Sequence, residues 1–122
     1  SVFPKKFRLQ KRKDFESVFK KGAYSPTPLW TLKWFLNGLG HPRFGFVVSN
    51  KISKSAVKRN VIKRRLRDIT RKYQEEIPYS VDIVIITKPS IVASSYKEIE
   101  MMYVQQLKKV LPQIRKYHEK VS

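Results

Sequence analysis

Between Lys54 and Lys72 the chain reads KSAVKRNVIKRRLRDITRK, a run in which nine lysines and arginines surround one carboxylate, Asp68. Charge of one sign at this density repels itself and ordinarily leaves a segment disordered. Isoleucine and leucine nevertheless recur through it at the spacing of a helix face. At about 100° per residue, Ile62, Leu66, Ile69 and Tyr73 share a narrow stripe. Asn60, Lys63, Arg64, Arg67 and Arg71 cluster on the opposite side, Arg59 lies at the edge of the stripe, and Val57 and Val61 flank it. The segment therefore folds only if the rest of the chain supplies a core for that stripe. Solvated helix faces mix signs at i,i+4, which adds about 0.2–0.5 kcal/mol per pair, and like charges there cost as much. A ladder of cations, with Lys54 and Lys58 extending it toward the N-terminus, makes sense once phosphates neutralise it.

The remainder can supply that core. A length of 122 residues fits one domain, 1–122, and a hydrophobic fraction of 41% is ordinary for a globular chain. The charge is not ordinary: 27 Lys and Arg against 9 Asp and Glu leave +18. Self-repulsion on that scale points to a polyanionic partner: nucleic acid, an anionic membrane or an acidic protein. No apolar run approaches the roughly 18 residues of a membrane span. The opening SVFPKKFRLQKRK is basic but lacks the apolar stretch of a secretory signal, and Ser1 at its head suggests a processed or trimmed terminus. Cysteine is absent, which removes disulfides and thiolate metal sites. A cytoplasmic protein fits best. Nucleic acid is the favoured partner, because the cations sit within folded-looking elements as well as on tails.

Residues 1–13 read as a basic, irregular arm. Asp14 is placed to cap a short helix, FESVFKK, which Gly22 stops, with Phe15, Val18 and Phe19 on one face. YSPTP is extended and leads into a strand, LWTLKWFL (29–36), in which Trp30 and Trp34 share one face and Thr31, Lys33 and Phe35 the other. NGLGHP is turn chemistry, so RFGFVVSN (43–50) is expected to pair antiparallel with that strand. Ser53 or Ser55 caps the basic helix, which runs to about Glu76 and stops before Pro78. VDIVIITK (81–88) is an apolar run expected to be a strand buried on both faces. A last helix starts near Ser95 and carries Tyr103, Leu107, Val110, Ile114 and Tyr117 as its stripe, with a kink or new turn expected at Pro112. The order helix, strands, helix, strand, helix predicts an α+β fold, a small two-layer sandwich with helices on a mostly antiparallel sheet.

Catalytic patterns are missing. His41 and His118 stand singly in the sequence and read as surface residues, and Asp14, Asp68 and Asp82 are far apart. NGLGHP joins strands rather than opening a helix, which argues against nucleotide cradling. No zinc-ligand spacing occurs, and Ser53 and Ser55 are capping candidates before they are nucleophiles. Neither catalytic nor metal-ligating residues are expected.

The runs KRNVIKRRLRD, RLQKRKDFESVFKKG, PRFGFVVSNKI and VDIVIITKP, in this order and spacing, resemble the protein component of bacterial ribonuclease P. The resemblance spans nearly the whole chain and is strongest over 7–22 and 43–89. Its most specific part holds Lys58, Arg59, Asn60, Ile62, Lys63, Arg64 and Arg67, similar to that family's "RNR" helix; Val61 departs from the pattern, since the family often has arginine or lysine there. The resemblance implies a ribonucleoprotein endonuclease that removes the 5′ leader of precursor tRNA, with the chemistry done by its RNA subunit and Mg²⁺ held mainly by that RNA. It implies that the basic helix (Lys54, Lys58, Arg59, Asn60, Lys63, Arg64, Arg67, Arg71) docks on ribonuclease P RNA. It further implies that Phe15 and Phe19 line a leader cleft beside Arg8 and Thr31 or Lys33. The implied fold is ribosomal-protein-S5-domain-2-like, with a left-handed βαβ crossover around the basic helix, where connection rules alone favour the right-handed form.

Residue chemistry supports the cleft in part, because single-stranded RNA is commonly held by aromatic rings beside a cationic groove. The same phenylalanines also suit a plain amphipathic helix with a buried face. Two other readings compete. A ribosomal or other structural RNA-binding protein shares the charge and the small α+β architecture. A DNA-binding regulator needs a recognition helix preceded by a short helix and tight turn, whereas the basic helix here is long and follows a strand, so DNA is not expected as partner. Nor is a membrane, given the lack of a spanning apolar run.

Overall fold

The computed structural model describes residues 3–121, so Ser1 lies outside them. Its elements are α1 (Arg12–Lys21), β1 (Ala23–Pro26), β2 (Trp30–Leu36), β3 (Arg43–Val47), α2 (Ala56–Tyr73), β4 (Val81–Thr87) and α3 (Tyr96–Val121). The four strands form one sheet in the order β1-β2-β4-β3. The β1–β2 and β2–β4 pairings are antiparallel, and β3–β4 is parallel.

Alternation of side chains gives the sheet two unlike faces. Trp30, Leu32 and Trp34 of β2, Phe44 of β3 and Val81, Ile83 and Ile85 of β4 enter the main core with the stripes of α2 and α3. On the other face, Val84, Phe35, Val47 and Ile86 meet Leu9, Phe15 and Val18 in a smaller cluster under α1. β4 is the apolar run expected from its sequence, and it is buried almost throughout.

The pairing of β3 differs from the sequence expectation. It does not form a hairpin with β2; β4 lies between them, and the chain crosses from β3 through α2 to reach it. NGLGHP does turn, with Gly38 and Gly40 at positive φ, but a tight turn alone does not make its flanking strands neighbours. β4, with no charged residue other than Asp82, is the strand best suited to the doubly flanked central position. YSPTP supplies β1, a short edge strand where the sequence shows only extended chain.

The basic arm is also more ordered than its composition suggests. Phe3 and Leu9 are buried, Lys5–Phe7 form a 3-10 turn, and Arg8 bridges in parallel to Phe44 beside β3. Helix α1 begins at Arg12, so Asp14 lies in its first turn and not at its cap. Gly22 does end α1, by close approach rather than by a left-handed backbone. A Cβ there would stand 2.5 Å from the Val18 carbonyl oxygen and 2.8 Å from that of Trp34. Ser55 takes the cap of α2, accepting the Lys58 N–H at 3.2 Å. Ser95 and Glu98 form a reciprocal cap at the start of α3, and the hydrogen bonds from Ser95 hold the Glu98 carboxyl below its usual range. Pro112 lies inside α3, which continues past it to Val121.

Gly22→Ala is expected to lower unfolding free energy by about 1–3 kcal/mol, as overpacking against rigid backbone does. Urea unfolding followed by circular dichroism measures it, and an unchanged midpoint would contradict the close approach.

Candidate nucleic-acid interface

Ile62, Leu66 and Ile69 bury the inner side of α2, and Tyr73 packs half-buried at the end of the same stripe. Lys58, Asn60, Arg64 and Arg67 are exposed on the outer side, with Lys54 exposed in the preceding loop and Lys63 and Arg71 half-buried. Three arginines of the segment are partly committed. Arg59 donates from Nη1 to the Ser53 carbonyl at 2.8 Å, Arg65 to the Ser94 carbonyl at 3.4 Å, and Arg71 pairs with Asp68 at 3.2 Å. Asp68 also accepts from the Tyr96 hydroxyl, and these donors hold its carboxyl below the usual range, the tyrosine contributing most. Among the described residues, Lys58, Lys63, Arg64 and Arg67 form no ion pair. Val61 sits half-buried on the flank.

Arg8 joins this surface and not the one expected for it. It points to the α2 side, where it donates to the Phe3 carbonyl at 2.9 Å and shares a hollow of about 550 Å³ with Arg64, Arg65, Arg67 and Arg71. The reason is strand parity. Once the arm lies alongside β3 with Arg8 level with Phe44, Leu9 takes the α1 face and Arg8 the opposite one.

The other residues expected to line a leader cleft come together on the α1 face. The rings of Phe15 and Phe19 stand 6.2 Å apart. They differ in role. Phe15 packs over Gly45, where a Cβ would meet its ring at 2.6 Å, and Phe19 is 38% exposed. Lys33 donates from Nζ to the Phe19 carbonyl at 2.9 Å and lies 6.0 Å from that ring's centre, so it serves both the C-terminal end of α1 and the aromatic face. Thr31 lies two residues along β2 on the same face, level with Ile86, which is in turn level with Val47. From there the chain leads through Lys51 and Lys54 into α2. One residue of this surface escapes sequence reasoning: Tyr24 pairs with Lys33 across the β1–β2 ladder, shares its face and is 69% exposed. Only recognition of β1 as a strand would have found it.

A fixed knot sets α1 against the sheet. Arg43 reaches Asp82 with two bonds of 2.8 and 2.7 Å and Asp14 with one of 3.2 Å, and Asn37 adds a bond of 2.8 Å to Asp82. The bonds to Asp82 raise the pKa of the Arg43 guanidinium further. Two aspartates distant in sequence thus meet, and a cation consumes both. His41 and His118 are half-buried, the first against Phe7 and the second against Tyr79. Among the described residues no group of three or more His, Cys, Asp and Glu could hold a metal, and no helix is long and apolar enough to cross a membrane.

The family model for ribonuclease P matches residues 3–111. The chain belongs to the ribonuclease P protein family. The ribonuclease P protein component of Syntrophomonas wolfei is 36% identical over 108 residues, covering 88% of this chain and 90% of that one. That of Erwinia tasmaniensis is 42% identical over 90 residues, 74% of this chain and 75% of the other. Among solved structures, the RNase P protein of Staphylococcus aureus superposes with a TM-score of 0.79 at 28% identity, covering 85% and 94% of the two chains. The Thermotoga maritima protein does so with 0.76 at 29%, covering 84% and 96%. The chain is accordingly a protein subunit of ribonuclease P, a tRNA-processing endoribonuclease that works as a ribonucleoprotein. Nothing supports the reading as a ribosomal protein.

The Asp68 knot predicts a pH effect. A carboxyl whose folded pKa is depressed adds stability above its unfolded value, near 3.9, and loses it as pH falls through the folded value. Asp68→Asn should therefore lose less stability than the parent chain between about pH 5 and pH 3. Thermal melts across that range check this, and parallel acid limbs would contradict it.

Proposed function

We propose that the outer side of α2 binds ribonuclease P RNA and that the Phe15–Phe19–Lys33–Thr31 surface holds the 5′ leader of precursor tRNA. The observation that carries this is the set of four cations, Lys58, Lys63, Arg64 and Arg67, that have no carboxylate partner among the described residues and are fixed on one helix. A single-sign ladder gains by releasing counterions from a phosphate backbone and gains little from water. Lys54, Arg59, Asn60 and Arg71 border it, and Arg8 extends it across the 550 Å³ hollow. On the other face, a half-exposed phenylalanine beside a lysine suits a stacked base with its phosphate. The setting is the cytoplasm, with precursor tRNA as substrate.

Magnesium belongs to the RNA in this reading. The described residues do not fit the ion: they offer no group of three His, Cys, Asp or Glu, Asp14 and Asp82 are both taken by Arg43, and the outer side of α2 repels cations. The role of the polypeptide is to bind and orient, and no proton transfer is assigned to it.

In enzyme reconstituted from this chain, transcribed RNA subunit and Mg²⁺, alanine at Lys63, Arg64 and Arg67 should weaken assembly. The slope of log affinity against log salt should flatten by about 0.7–0.9 for each phosphate no longer neutralised. An unchanged slope would reject the ladder. Phe19→Ala should reduce the preference for precursor over mature tRNA by about tenfold, the contribution of one base stack, while leaving assembly intact. Equal losses for both ligands would reassign Phe19 to packing.

A further inference from the structure

A second hollow, of about 480 Å³, opens where α1 ends and the C-terminal turns of α3 pass the sheet edge. Gln113, Lys116, Tyr117 and Lys120 of α3 line one wall at helical spacing, facing Lys21 and Trp34. All four lie beyond residue 111, where the family match ends. Tyr117 continues the apolar stripe of α3, yet it is 45% exposed where Tyr103, Leu107, Val110 and Ile114 are buried. Its ring stands edge to face with that of Trp34, the centroids 5.7 Å apart at 73°, and much of it stays in contact with solvent. Trp34 is 6% exposed, and its indole N–H has no hydrogen-bond partner among the described residues. Glu119, the nearby carboxylate on α3, lies off this helix face.

An exposed aromatic ring and three lysines drawn from two elements match two parts of one nucleotide, base and phosphate. The location says which nucleotide. The Ala23–Trp34 pair at the lip of the hollow is the next rung of the β1–β2 ladder after Tyr24–Lys33, about 3.4 Å further along. An RNA strand leaving Phe19 and Lys33 over exposed Tyr24 rounds the sheet edge directly into it. We propose that this hollow binds a leader nucleotide farther from the cleavage point than those in the cleft. The inference rests on the leader-cleft reading, and it adds a length-dependent grip from a part of α3 that the family match does not include.

The test uses reconstituted holoenzyme and precursor tRNAs with leaders of graded length. For the parent chain, affinity should rise a second time once the leader outgrows the cleft. Tyr117→Ala should remove about tenfold of that second gain, the contribution of one base stack, and Tyr117→Phe should retain it. Lys116→Ala with Lys120→Ala, which leaves the Tyr117–Trp34 pair in place, should flatten the salt slope by about 0.7 for each phosphate set free, and for long leaders only. Identical length dependence in parent and variants overturns the proposal. So does a loss of RNA-subunit binding in the absence of substrate, which would make the hollow a docking point for that RNA. Phe19→Ala run in parallel separates the two readings: normal discrimination of short leaders by that variant rejects the cleft, whatever happens at Tyr117.

Discussion

The burial of three side chains, Ile62, Leu66 and Ile69, holds a helix that its own charges oppose. Neighbouring cations such as Lys63 and Arg67, or Arg67 and Arg71, each cost about 0.2–0.5 kcal/mol at their spacing. Full burial of one isoleucine or leucine contributes about 1.5–3 kcal/mol, so three such residues outweigh the repulsion of the whole ladder. Anchored in this way, the outer cations need no carboxylates to stay in place and remain available to an external polyanion. Asp68 is the exception within the helix, and it is tied up with Arg71 and Tyr96.

The two faces of the sheet are covered to different extents. One receives α2 and α3 and forms most of the core, so the ladder stands on a rigid base. The other receives α1 and Leu9 of the N-terminal arm and is left partly open around Phe19, Thr31 and Lys33. The position of α1 depends on Arg43, which clamps Asp14 at its first turn to Asp82 in β4, and on Gly45, which gives Phe15 room against the sheet. At its far end Gly22 lets the chain turn against the Trp34 carbonyl. The open half of that face leads toward Lys51 and Lys54, where β3 passes into α2, so the Phe19–Lys33 surface and the cations of α2 are joined at one end of the sheet.

Helices were legible because their signals are local. The stripe of α2, its serine cap, the start of α3 near Ser95 and the stop at Gly22 depend on residues within a turn or two of each other. The parity of β2 was equally legible, since alternation alone places Trp30 and Trp34 opposite Thr31 and Lys33. Family membership followed from the basic run together with its order relative to FESVFKKG and VDIVIITKP.

Strand partners were another matter. A turn sequence fixes a local reversal but not which strand lies beside which, and β4 took the place beside β2 because it alone could be buried on both faces. The same nonlocal choice decided Arg8, whose side depends on the register of an arm against β3, and Tyr24, whose face exists only once β1 has paired. Asp14 falls in the first turn of α1 because the helix starts at Arg12, and its actual partner, Arg43, lies 29 residues away. The sequence by itself determined the charge, the helices and the side of α2 that faces outward, all set by spacing along one chain. Tertiary structure decided which cations share a surface, because that depends on pairings between segments whose separation along the chain carries no such information.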